Sequence, residues 1–480
     1  MQREMELQQI IFHIIETQIK FGGHRYGDQL PTLREASSYF LASLDTVRLA
    51  YLRLKREGYI SISTCVGATV NVDYSDEEIR RHIQRYFGPR REPLLSFAQS
   101  VGLLANRVQW YALMSATPET LDELEDLCFR QDEAPVYRMS RQLQLLYAPL
   151  GNELLLRLFW QMFLYFQGPF VSTARNGMIP GKAGGPLSEM IRLARKKDGE
   201  ALWEAGQASV LRYQAALNRF FDQNITPETV DEPVGFTWGI YKKTSQLCYS
   251  ICMDLLLDIH NGVYQDGDFL PPPQQLAHEK QAGLNTVRRA IGLLNKLGAV
   301  RSLNGVGTQV LPPVDSAKNC DFEDPVIRRR LVDFLQSFHI LAFSCRTCAQ
   351  AALNSMSEKD ILQLIQRLDQ TRQSGVYENL MYVCYDTIAL HSAPLVRTVY
   401  GEVTRQLFWG YPLREMHGDR PHANAYFLPY LDSLRDCLVR RDVDSFSLLL
   451  EKLHTDETAC IIRYLSGLGI REAASIIIPE

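Results

Sequence analysis

The sequence predicts a mainly α-helical chain in which two winged helix-turn-helix domains, each with a small β-hairpin wing, alternate with two all-α helical bundles. Three observations predict it. The chain repeats itself at an offset of 240 residues, each copy opens on the order helix, helix, helix, hairpin, and the remainder of each copy carries only helical periodicity. Its 480 residues then divide into four domains at 1–74, 75–233, 234–314 and 315–480.

The repeat is densest where residues 27–70 lie on 267–310 without a gap, with 15 of 44 positions identical. Among them are Gly27/Gly267, Pro31/Pro271, Leu44/Leu284, Thr46/Thr286, Val47/Val287, Arg48/Arg288, Gly58/Gly298 and Gly67/Gly307. Further on, Phe97, Gln99, Ser100, Leu104 and Ala105 recur as Phe334, Gln336, Ser337, Leu341 and Ala342. Leu158-Phe159-Trp160 recurs as Leu407-Phe408-Trp409. A tandem duplication of one module, a small domain followed by a larger one, explains the preserved order.

In the first copy, Ile10, Ile11, Ile14, Ile15 and Ile19 give residues 7–20 a helical stripe, which Gly22 and Gly23 stop. Thr32 is placed to cap a short helix ending at Phe40. Ser43 caps the next, whose stripe runs through Leu44, Val47, Ala50, Tyr51 and Leu54 until Gly58. Tyr59–Ser63 and Val66–Val72 alternate as two strands of a hairpin. The second copy places its helices at Pro271–Lys280 and Leu284–Leu297, and its strands at Ala299–Leu303 and Thr308–Leu311.

The larger domains open on caps. Ser75-x-x-Glu78 is a capping box and Thr117-Pro118 a capped N1 proline, while Ser357 does the same work in the second copy. Leu154–Phe166 reads as one buried helix, too short to cross a bilayer. Met190–Leu211 reads as a helical pair broken at Asp198-Gly199, with Leu202 and Leu211 on its apolar side. Tyr430–Arg440 and Asp444–His454 form another, joined through Arg441-Asp442. Domain boundaries fall near Val72–Tyr74, Thr226–Val234 and Pro312–Ala317.

Composition bounds the function. With 46% hydrophobic and 22% charged residues the chain is globular, and a net charge of −4 provides no global field for nucleic acid, so any such site is local. The N-terminus lacks an apolar leader and the ten cysteines are dispersed, so a cytoplasmic chain with reduced thiols and no membrane partner is expected. Cys345-x-x-Cys348 and the Cys248/Cys252 pair read as buried helical neighbours rather than metal ligands. No phosphate loop, nucleophile elbow or carboxylate pair argues for catalysis. An enzyme, a bound metal and a cofactor are therefore not expected.

A helix that reads bases must bring short polar side chains to its N-terminal turn, where the backbone N–H groups also favour phosphate. Ser43, Asp45, Thr46 and Arg48 satisfy this in the first copy, and Asn285, Thr286, Arg288 and Arg289 in the second. Asp45 suits a cytosine amine, Asn285 an adenine, and the arginines a phosphate or a guanine edge, so the copies are not expected to read identical bases.

These stretches resemble the winged-helix domain of the GntR family of bacterial transcription regulators. Leu30-Pro31-Thr32-Leu33-Arg34-Glu35, Thr46-Val47-Arg48, Gly58-Tyr59-Ile60 and a wing at Gly67 carry the likeness, as does the fuller wing Gly305-Val306-Gly307-Thr308-Gln309-Val310. The resemblance implies DNA contacts at Arg34 and at the wing glycines Gly67, Gly305 and Gly307. The sequence departs from the family pattern at Leu44 and Leu284 in place of an arginine, at Gln274 in place of the helix-two arginine, and at Cys65 in place of a wing glycine.

The helical domains more faintly resemble the FCD effector domain of the FadR branch, through Gly151-Asn152 and the turns before Asp198 and Asp442. That implies a small-molecule effector, with Asn152 of that turn as a candidate to bind it and only His454 near a ligand-like position. Trp160 and Trp409, at equivalent places, are candidates to line an effector cavity, with a core role as the alternative. The partners expected are a double-stranded DNA operator and an unidentified effector. The assembly expected is an intramolecular pseudo-dimer or a homodimer, and the competing reading is an interaction scaffold of the same ancestry that has lost DNA recognition.

Overall fold

The computed structural model describes residues 2–63, 67–130, 133–173, 184–226, 232–241 and 246–476. The expected boundary at Thr226–Val234 and the Cys65 departure therefore lie partly or wholly outside the described residues. The chain is mainly helical with small hairpin sheets, and it divides into two compact units, Met1–Phe236 and Thr237–Glu480. No helix among the described residues is long and apolar enough to cross a membrane.

Unit 1 opens with α1 (Gln2–Lys20), α2 (Leu33–Phe40) and α3 (Leu44–Arg56), followed by β1 (Ile60–Ser63) and β2 (Gly67–Val70). Each element has a local cause. Thr32 and Glu35 close a reciprocal capping box at the start of α2. Ser43 accepts the Thr46 N–H at 3.2 Å to start α3. The turn between them is made by Leu41 at φ 44°, a left-handed residue without a glycine's freedom. Val47, Ala50 and Leu54 are fully buried against α1, and Tyr51 donates its hydroxyl to the Pro31 carbonyl at 2.7 Å. Leu44, expected on this apolar stripe, is instead about half exposed, because it sits on the first turn before the stripe meets α1.

The body of unit 1 is α4 (Asp76–Phe87), α5 (Arg91–Ser115), α6 (Pro118–Phe129), α7 (Pro135–Tyr147), α8 (Glu153–Met162), α9 (Gly168–Val171), α10 (Gly185–Arg195) and α11 (Gly199–Asn224). The single helix expected over Leu154–Phe166 is interrupted. A π-helical turn covers Phe163–Gln167, since Pro169 has no N–H for the Tyr165 carbonyl, which Tyr86 satisfies instead at 3.0 Å. Leu211 is a second correction: it is exposed, and α11 packs through Leu202, Gly206, Leu217 and Phe221.

Unit 2 begins with α12 (Leu247–His260), β3 (Phe269–Leu270), α13 (Pro273–Glu279), α14 (Leu284–Lys296), β4 (Val300–Leu303) and β5 (Gly307–Val310). Its sheet has three strands in the order β3-β5-β4, with Val300 opposite Val310 where β1 and β2 place Ile60 opposite Val70. Gln281 turns between helices at φ 48°, as Leu41 does. The body contains α15 (Ser316–Asn319), α16 (Pro325–Ser355), α17 (Glu358–Ser374), α18 (Asn379–Leu390), α19 (Pro394–Gln406), α20 (Arg420–Arg440) and α21 (Val443–Gly467). Arg441 at φ 60° and the Asp442 cap open α21 as Lys197 at φ 56° and the Asp198 cap open α11. Cys345 and Cys348 are buried on α16, and Cys248 and Cys252 on α12.

Candidate nucleic-acid interface

The two heads share a backbone and differ in the side chains they offer to solvent. On α3 the exposed face carries Asp45, Arg48, Leu49 and Leu52. Asp45 and Arg48 form an ion pair at 2.9 Å, both well exposed, so the arginine expected to reach DNA already holds a carboxylate on its own helix. Thr46 is buried, and its hydroxyl lies 2.8 Å from Ser43 Oγ, so its side chain belongs to the cap rather than to a groove. Leu41, Leu44, Leu49 and Leu52 are between 46% and 49% exposed and give this face an apolar character that the motif did not announce. Its signal was available: positions 49 and 52 fall outside the 47, 50, 54 stripe yet are leucine. Arg34, at the start of α2, is exposed.

On α14 the corresponding positions are Asn285, Arg288, Arg289 and Gly292, and the first three are exposed with no ion pair among the described residues. Gly283 replaces the capping serine and has no hydroxyl, so Thr286 stays half-buried and makes no side-chain hydrogen bond among the described residues. The beginning of this helix thus presents an amide, a hydroxyl and two guanidinium groups that hold no ion pair among the described residues, at the positive end of the helix dipole. Gly305 at φ 74° turns the wing, and Gly307 at φ 150° has no room for a Cβ, which would stand 2.9 Å from Phe269 Cδ1. Val306 stands 69% exposed at the wing tip. In unit 1 the wing tip lies outside the described residues, and Gly67 starts β2 at φ 86°.

Residues 250–310, from within α12 to the end of β5, match the family described as "Bacterial regulatory proteins, gntR family". This segment is a gntR-type winged helix-turn-helix. A gntR-type head supports a DNA-binding regulator and suggests DNA as a partner. No curated protein matches the chain. Among solved structures, a Streptococcus agalactiae GntR is similar at 13% identity and TM-score 0.20, over 44% of this chain and 99% of that one. The Listeria monocytogenes protein titled as Lar, controlling expression of the agr system, is similar at 15% and 0.22, over 45% and 97%. A putative transcriptional regulator GntR from Rhodococcus sp. RHA1 is similar at 16% and 0.22, over 45% and 98%.

The expected effector residues lie in the cores. Asn152 is buried and its Oδ1 accepts the Leu155 N–H at 2.9 Å, which makes it the cap of α8. Trp160 is buried with its ring edge-on to Phe163. Trp409 is fully buried and donates to Tyr241 Oη at 3.1 Å, while Tyr241 donates to Asp333 at 2.6 Å and Arg330 stacks over Tyr249. His454 is fully buried: Nε2 donates to the Phe338 carbonyl at 2.6 Å and Nδ1 meets the Tyr385 hydroxyl. Both of its nitrogens are occupied, and burial pushes its pKa down to about 3. A cavity of about 260 Å³ does exist in the body of unit 1, and none of these four residues lines it.

Proposed function

We propose that the chain is a non-enzymatic, sequence-specific transcription regulator built from two tandem gntR-like modules, in which α14 and its wing read the operator. The observation that carries this reading is the exposed, unpaired set Asn285, Arg288 and Arg289 on the recognition helix of the matched segment. The tandem duplication is supported by features that recur in the same order: the left-handed Leu41 and Gln281 and the register of the two hairpins at an offset of 240, and the aspartate caps of α11 and α21 at an offset of 244. Two heads on one chain raise their mutual effective concentration to roughly millimolar without a second subunit. The chain then acts as its own dimer, with FCD-like bodies that respond to a small molecule without a metal or cofactor.

Selection from genomic DNA at low salt tests it. Enrichment of a defined site by the full chain, lost in Arg288→Ala, is the expected result. The leucine face of α3 favours a second reading for the head of unit 1 alone, a protein-docking role. Failure of the full chain to enrich any site would extend that scaffold reading to the whole protein.

A further inference from the structure

One region of the body has opposite contents in the two units. With Phe97 and Ala105 set on Phe334 and Ala342, and Asp198 on Asp442, Val101 and Asn106 of α5 correspond to Phe338 and Phe343 of α16. Val210 of α11 likewise corresponds to His454 of α21. In unit 2 the rings of Phe338 and His454 stack at 4.4 Å, and His339 packs on Phe343 at 4.7 Å. In unit 1 the smaller Val101, Asn106 and Val210 border the cavity of about 260 Å³. A cavity of about 150 Å³ accommodates benzene, so this space takes roughly a substituted aromatic or branched apolar molecule.

Its polar groups define the rest of the ligand. Tyr213 Oη is buried at the wall with no hydrogen-bond partner among the described residues. Arg138 of α7 also lines the wall, half-buried, and its side chain has neither an ion pair nor a hydrogen bond among the described residues. Among the described residues, no aspartate or glutamate lines the cavity. Most of the remaining lining is aromatic or aliphatic.

We propose that the unit 1 cavity binds an apolar molecule bearing a single anionic group, with Arg138 holding the anion and Tyr213 donating to an acceptor on the ligand. The proposal rests on the effector-sensing reading of the bodies and names the ligand class and the route of its effect. The route is α7. Arg138, Met139 and Gln142 face the cavity, while Tyr137 stacks on Tyr39 at 5.4 Å and its hydroxyl lies 2.7 Å from His24 Nε2. Arg141 reaches Ser38 Oγ at 3.3 Å. One helix is therefore both a wall of the cavity and the support of α2 in the head, and a ligand that displaces it displaces that support.

The test uses the full chain and 8-anilinonaphthalene-1-sulfonate, an aromatic monoanion, with fluorescence as the readout and no DNA present. Saturable binding is expected, displaced by 4-phenylbutyrate at least tenfold better than by neutral 4-phenylbutanol. Arg138→Gln should abolish that preference, and Val101→Phe or Val210→His, which import the unit 2 side chains, should each weaken the probe at least tenfold. Equal displacement by acid and alcohol would overturn the anion assignment. Undiminished probe binding in whichever of the two plugging variants retains the wild-type circular dichroism would overturn the site. Hydrogen exchange of residues 33–40 should change on saturation with 4-phenylbutyrate, and unchanged exchange would overturn the α7 route. Because binding is read without DNA, its failure is distinct from a failure of operator recognition, which the Arg288 variant reports.

Discussion

The recognition helices α3 and α14 keep the same buried positions and part company on the exposed ones. Val47, Ala50 and Leu54 recur as Val287, Ala290 and Leu294, all fully buried, and both helices follow a left-handed turn residue. Asp45, Leu49 and Leu52 stand where α14 has Asn285, Arg289 and Gly292. Burial fixes the backbone, while the exposed residues are free to take up or give up DNA reading. The bodies divide in the opposite sense, with the unit 1 body open where that of unit 2 is filled by Phe338 and His454. On the proposed reading, DNA recognition is concentrated in unit 2 and ligand binding in unit 1.

The largest effect expected from this contrast concerns the filled body. Phe338→Ala removes a buried ring and should destabilise unit 2 by about 3–5 kcal/mol. Val101→Ala, at the corresponding place beside open space, should cost about 1 kcal/mol. Urea denaturation of the two variants checks the difference, and equal losses would break the comparison of bodies.

Next comes DNA binding. Arg288→Ala should weaken operator binding by about 1–3 kcal/mol. Arg48→Ala should cost under about 1 kcal/mol, because Arg48 is already paired with Asp45 on an exposed surface. Titrations at fixed salt measure both.

Acid should separate the bodies as well. His454 is held neutral down to about pH 3, against an ordinary value of 6.5, so the unfolded chain takes up a proton below pH 6.5 that the folded chain refuses. Stability is thus lost as pH falls below 6.5, by about 2 kcal/mol at pH 5 from this group, and His454→Asn should remove that slope. Denaturation of both proteins at pH 7 and pH 5 tests it. Val210, in the same place in unit 1, contributes no such dependence. The smallest effect is Asp45→Asn, which frees Arg48 and should raise DNA affinity by less than about 1 kcal/mol in the same titrations.

Much of the architecture was legible because it rests on local signals. Thr32, Ser43, Ser75, Thr117 and Ser357 all cap the helices their side chains predicted, and the two hairpins fall where alternation placed them. The π turn at Phe163–Gln167 was not legible, since a proline one turn beyond an apolar run reads equally well as a plain helix end. Neither was the fate of Thr46 and Thr286. The motif gives them the same letter, and only the residue three before, serine or glycine, decides whether the hydroxyl is taken. The cavity was hidden for a different reason: it depends on which side chains the helices from α5 to α11 bring together, and the tryptophans that attracted attention are packed elsewhere.

The central claim, that unit 2 reads DNA through α14, is tested most directly by footprinting the full chain and its variants on a selected site. Loss of the base-specific footprint in Arg288→Ala/Arg289→Ala, with the footprint kept in Arg48→Ala, is the result expected. A footprint that survives the α14 double substitution and disappears with Arg48→Ala would contradict it.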